Sequence, residues 1–307
     1  MLRVSTLSSY LSQDLEAAAC AALECGLDGL DLDRVWEHPI ERLAEASYGK
    51  PLQYVIGRVG IKVFCLATNI FHCWLDSEAA FRAHLHSLEA SLRLAETLKC
   101  PVVRCYAFLR DGTLEDSWPC LVERFQQAAE LAAQYGLTLG IQNDADTFLG
   151  TGREVARLLD AVGSSHLEAV WDPGASVFDM DQLEIPYPDG YRQLQGRIAH
   201  VMLRDIDTHK HRGLLCEVEF GEGIIDYRRQ LPALVADGYA GAVSLASIWR
   251  AGMAWNRDLD EGDFTEAGGQ QATCISLANL RAIMDPDPAR LPINADAYVP
   301  KGKIRHE

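Results

Sequence analysis

The chain has 307 residues, 48% of them hydrophobic and 23% charged, with a net charge of -16 from 44 acidic and 28 basic side chains. That length builds a large core without metal or disulfide staples, and the field it carries repels nucleic acid backbones and anionic membrane surfaces. No stretch approaches the roughly 18 to 20 apolar residues of a membrane helix, and the charged first segment is no signal peptide, so a cytoplasmic protein without nucleic acid or membrane partners is expected. Nine scattered cysteines, none in a CxxC pair, suit that compartment, with Cys65 and Cys105 expected as buried thiols.

Strand and helix patterns alternate along the chain. Residues 2–6 predict a first strand and 12–26 an alanine-rich helix stopped by Gly26. A second strand is expected at 28–33, with helix from about Pro39. The run 60–68 is a third strand, and 76–99 a helix in which Leu85, Leu88, Leu92 and Ala95 recur at helical spacing. Strands at 101–108, 137–143 and 167–172 alternate with helices at 115–136 and 151–162. A short helix at 191–196 precedes the seventh strand, 198–205. Helix 226–238, the eighth strand 241–247 and helix 266–284 complete the series.

Eight such units with strands apolar on both faces predict an all-parallel α/β sheet closed into a single (β/α)8 barrel over 1–285. No Gly-x-Gly-x-x-Gly follows the first strand, which disfavours a dinucleotide fold. Residues 286–307, with Pro286, Pro288, Pro292 and Pro300, are expected as an extended tail.

The runs GLTLGIQNDADTFLGTG (136–152), AVWDPGAS (169–176), RIAHVMLRDID (197–207), FGEGIIDY (220–227) and GYAGAVSLASIW (238–249) together resemble the sugar phosphate isomerase/epimerase family, the xylose isomerase-like TIM barrels. The resemblance extends to LDGLDLD (27–33) and so covers nearly the whole chain. It implies a divalent metal held by Glu, Asp, His and Glu at the ends of strands five to eight. Those positions here are Gln142, Asp172, Met202 and Ala246, so one ligand of four survives. A neutral carbonyl, a thioether and a methyl make a poor site for a hard cation. The family's two proton-moving glutamates are lost with them. No metal and no other cofactor is therefore expected.

Inward alternation along strand seven puts His200, Met202 and Arg204 on one side. Asp172, closing strand six, reads either as an acid/base or as a turn former. Arg204 reads as an anion clamp or as a structural partner of Asp172, and His200 as a proton carrier or as a hydrogen-bonded core group. His72, with Arg104 and Tyr106, reads as a pocket wall on the same face. Gln142, Asn143, Met202, Ala246, Trp249 and Arg250 complete the expected lining. A relocated metal site on Asp205, Asp207, His209 and His211 is a weaker option.

The leading expectation is a metal-independent isomerase, lyase or cyclase moving a proton on a small, oxygen-rich substrate. The convergence of Arg104, Arg204 and Arg250 favours an anionic one. A non-catalytic sensor or partner subunit, and a sugar isomerase with a relocated metal, are the alternatives. A homodimer is the default assembly.

Overall fold

The computed structural model describes residues 2–179, 183–208, 213–251 and 268–285. The expected tail at 286–307 lies outside the described residues. Eight parallel strands form one sheet: β1 (Arg3–Thr6), β2 (Gly29–Leu32), β3 (Lys62–Ala67), β4 (Val102–Cys105), β5 (Thr138–Gln142), β6 (Leu167–Trp171), β7 (Ile198–Leu203) and β8 (Ala242–Leu245). Their order in space is β1-β8-β7-β6-β5-β4-β3-β2. A parallel bridge between Leu7 and Asp31 joins the two outer strands. Val4 N also donates to the Asp28 carboxylate at 2.8 Å, and Asp28 N to Val4 O at 2.9 Å. The sheet thus closes on itself as a barrel.

The outer layer is α1 (Leu15–Cys25), α2 (Gly49–Val59), α3 (Glu78–Leu98), α4 (Leu114–Tyr135), α5 (Gly152–Val162), α6 (Tyr191–Leu194), α7 (Tyr227–Ala236) and α8 (Gly269–Met284). Local chemistry sets their ends. Asp14, Ser77 and Thr113 each accept a backbone N–H as N-caps, and Thr151 with Glu154 forms a reciprocal capping box. Gly26 ends α1 at φ +83°, a conformation that favours glycine. Apolar helix faces and the outward strand residues form the main core, including Leu15, Phe81, Phe125 and Trp171.

Two elements depart from expectation. The seventh strand ends at Leu203, and Asp205–Thr208 pairs with Leu215–Val218 as an antiparallel hairpin where a simple loop was expected. Cys25 and Cys274 form a disulfide between the end of α1 and α8, a pairing not expected from the sequence. A separation of 249 residues leaves no local spacing signal for such a bridge. Cys65 and Cys105 are buried free thiols. Among the described residues no helix is long and apolar enough to cross a membrane.

Candidate active site at the barrel mouth

Parallel strands of a closed barrel all end on one rim, so the last inward side chain of each strand converges there. Below that rim the lumen is apolar. Met202 and Ala246 pack with Leu7, Tyr10, Cys65, Ala67, Val102 and Val170, and Met202 is 2% exposed. Deeper still, His200 Nε2 lies 2.9 Å from Asp31 Oδ2, both side chains buried. His200 is thus separated from the rim by the Met202 layer.

A continuous polar chain crosses the rim. Arg104 donates from Nε and Nη2 to Thr68 O and from Nη2 to Ala67 O, and its Nη1 donates to Gln142 Oε1 at 3.0 Å. Gln142 Nε2 donates to Asp172 Oδ2, also at 3.0 Å. Arg204 grips Asp172 with both Nε (3.1 Å to Oδ1) and Nη2 (2.9 Å to Oδ2). Its Nη1 donates to Glu217 Oε1 at 3.3 Å. The other Glu217 oxygen accepts from Ser247 Oγ at 2.8 Å and Ile248 N at 2.7 Å. Strands β4 to β8 are laced together through two guanidinium groups and two carboxylates.

Asp172 is enclosed by these contacts. Oδ1 accepts from Arg204 Nε and from Ala175 N, Oδ2 accepts from Gln142, and Arg204 Nη2 lies 2.9 Å from Oδ2 as an ion pair. Arg204 retains capacity: its Nε and Nη1 donate hydrogen bonds, its Nη2 is held by ion pairing, and its side chain is 22% exposed. Burial opposes its charge, but Asp172 and Glu217 outweigh burial and hold the guanidinium firmly protonated.

The divalent metal implied by the resemblance does not fit this donor set. Both amide atoms of Gln142 are committed to protein partners, Asp172 is ion-paired with Arg204, and Met202 and Ala246 face an apolar cluster. Among the described residues, no group of three or more His, Cys, Asp or Glu side chains is arranged to hold a metal ion. Asp205 of the strand-seven segment is instead wrapped by the N–H groups of Ile206, Gly221, Gly223 and Ile225. Asp207 accepts from Thr208 N, and His209 and His211 lie outside the described residues.

The remaining expected residues divide into rim and scaffold. His72 is exposed, with its ring centroid 5.0 Å from that of Tyr106. The Arg104 guanidinium lies over the Tyr106 ring at 4.8 Å, and burial pushes the Tyr106 hydroxyl pKa up. Trp249 is half-buried beside Arg250. Asn143 is a fastener: its Nδ2 reaches Gly150 O, Asp172 O and Ser176 Oγ, and its Oδ1 accepts from Asp172 N.

Three carboxyls at the rim were not anticipated. Glu217 is placed by the hairpin register, Ile206 opposite Glu217, and burial raises its pKa against the pull of Arg204. Asp144 lies two residues beyond Gln142 and is half-buried, with its pKa raised by burial and opposed by Arg204. Alternation from Gln142 is the signal that finds it. Glu41, on the short helix Ile40–Glu45 after β2, is also half-buried, and burial raises its pKa near Arg104. Its Oε2 has no hydrogen-bond partner. A cavity of about 570 Å³ lies to one side, lined by residues such as Val177, Ile185, Tyr187 and Ile225, and Asp172, Arg204 and Glu217 do not line it.

Comparison with known proteins agrees with this architecture. The profile of the family described as xylose isomerase-like TIM barrel matches residues 19–263. An inosose dehydratase of Geobacillus thermodenitrificans is 26% identical over 141 residues, 41% of this chain and 46% of that protein, so the match spans about half of the relative's length. Among solved structures, the probable 3-DHS dehydratase of Bacillus anthracis superposes with a TM-score of 0.70 at 14% identity, covering 93% of this chain and all of that one. The 3-keto-D-glucoside 4-epimerase of E. coli gives 0.68 at 16% identity, over 92% of this chain and all of its own. At those identities the structural likeness is one of fold.

Proposed function

The chain belongs to the xylose isomerase-like TIM barrels, and from that premise we propose that it is a sugar-modifying enzyme working by proton transfer without a divalent metal. The observation that carries this reading is Arg204, a fixed cation held between Asp172 and Glu217 at the rim where three of the four family ligands have been replaced. Its side chain is 22% exposed, and the N–H donors it does not spend on Asp172 and Glu217 suit the oxygen of an enolate, whose charge develops during proton abstraction beside a carbonyl. Donors fixed in advance cost no reorganisation when that charge appears.

Asp144 and Glu41 supply the acid and base. Burial raises both carboxyls toward the pH range in which proton exchange is efficient. Asp144 takes the proton from the carbon beside the carbonyl and Arg204 holds the enolate oxygen. Glu41 then protonates a departing hydroxyl, so that one C–H and one C–O bond break and water leaves. The dehydratase among the sequence relatives supports this elimination, and reprotonation of the same enolate would give the isomerase or epimerase outcome. Asp172 and Gln142 act as positioning residues for Arg204.

The test is deuterium wash-in from D2O, followed by proton NMR, over keto-cyclitols, 3-dehydroshikimate and ketohexoses. Exchange or elimination with one of these, lost at least about 100-fold in Asp144→Asn, is the expected result. No exchange with any, or an unimpaired Asp144→Asn, would overturn the reading and favour a non-catalytic ligand-binding descendant.

A further inference from the structure

We propose that Arg250 and the first turn of α8 form an anion-binding subsite beside the catalytic rim, built for a phosphate or carboxylate group on the substrate. The inference rests on the proposed catalytic reading only for what the rest of the substrate is. The subsite itself stands on separate residues.

Arg250 is 4% exposed, yet its Nη2 has no hydrogen-bond partner. An unmet donor on a buried guanidinium is costly, and its persistence points to a group that binds there. The rest of the side chain is fixed: Nη1 donates to Ser247 O at 3.3 Å and Trp249 O at 2.9 Å, and the guanidinium lies over the Tyr10 ring at 5.3 Å. Those anchors leave Nη2 directed at the start of α8. A Cβ placed on Gly269 would lie 3.5 Å from it.

Helix α8 runs 16 residues, and no side chain caps its N-terminus. Gly268, at φ +80°, begins it, and the Tyr10 carbonyl packs so closely on Gly269 that no side chain fits there. The first N–H groups of a helix lack intrahelical partners and carry its positive dipole end, which favours an anion. A buried guanidinium N–H aimed at that end adds the charge-assisted donor of a bidentate clamp. Burial also makes Arg250 easier to deprotonate than an ordinary arginine, as expected of a cation lacking its anion; Tyr10 and Glu217 pull the other way. Glu217 is the acidic group facing it, and is already engaged by Arg204, Ser247 and Ile248.

Because β8 ends at Leu245 and Ser247 serves both Glu217 and Arg250, this subsite adjoins the Arg204 triplet through a single loop. A substrate with its keto-polyol part over Arg204 and its anionic end at Arg250 would span the two.

The test is calorimetric titration of the full chain with inorganic phosphate and, separately, acetate, without any turnover substrate. Saturable binding of phosphate identifies a phosphorylated substrate, and saturable binding of acetate alone a carboxylate. Arg250→Met should weaken that binding at least tenfold, and Arg250→Lys should retain part of it. Gln271→Glu puts an acidic group in the first turn at an exposed position, where the fold tolerates it, and should weaken binding several-fold. Arg82→Met, at an exposed position on α3, should leave it within about twofold. Binding insensitive to both Arg250→Met and Gln271→Glu, or absent for both anions, would overturn the subsite. Because no chemistry is read, failure of the deuterium test leaves this result intact, and failure here leaves the catalytic reading intact.

Discussion

Replacing Arg204 by methionine removes the cation between Asp172 and Glu217 while keeping most of the side chain's volume. The two carboxylates are 2% and 6% exposed, and Arg204 reaches them at 2.9 and 3.3 Å. At an effective dielectric near 20 and a charge separation of about 4 Å, each attraction is on the order of 4 kcal/mol before desolvation. Stranding buried charges by removing one partner costs about 3–5 kcal/mol, and the partial exposure of Arg204 argues for the lower end, about 3 kcal/mol. In the variant nothing offsets the burial that raises the Glu217 carboxyl, so its folded-state pKa rises further above the unfolded value. Protonation then relieves the strain, so the deficit is full near pH 8 and shrinks as pH falls toward 5. Urea unfolding of both proteins at pH 8, 6.5 and 5 measures this directly. A loss under about 1 kcal/mol, or one independent of pH, would refute the claim that Arg204 neutralises this pair.

Three further outcomes follow from other parts of the fold. The Cys25–Cys274 bridge closes a loop of about 250 residues, for which chain entropy gives up to about 5 kcal/mol, so Cys274→Ser should lower the unfolding midpoint and non-reducing peptide mapping should find the linked pair in wild type. Burial pushes the Asp205 carboxyl up to about 6, so its contribution is full below pH 4 and lost as pH rises through 6. Relative to Asp205→Asn, wild type should lose up to about 3 kcal/mol between pH 4 and 7 in urea unfolding, and a flat difference would contradict this. A Cβ on Gly174 would come within 2.6 Å of Arg204 Cγ, so Gly174→Ala should displace the guanidinium and lower proton exchange about 100-fold in the NMR assay.

The barrel was legible because most strands are short apolar runs and several helices have capped, periodic faces, as in 151–162. The rim positions of Gln142 and Asp172 follow from the family resemblance, and that of Arg204 from strand alternation relative to Met202. Contacts across the sequence were not legible. Glu217 reaches the site through a hairpin whose strands, Asp205–Thr208 and Leu215–Val218, are too short and polar to read as strands. Glu41 comes from a helix outside the strand pattern, and Cys274 has no local cue pointing to Cys25. For His200, sequence places it inward but cannot tell rim from interior; its buried partner Asp31, 169 residues away, fixes it beneath the Met202 layer.

The central claim is that Arg204, rather than a bound metal, stabilises the developing charge. It is tested most directly by measuring deuterium exchange on exhaustively chelated protein, with metal content determined on the same sample. The account predicts that exchange persists without metal, is unchanged by added Mn2+ or Mg2+, and collapses in Arg204→Met. Exchange abolished by chelation and restored by a divalent ion would contradict it.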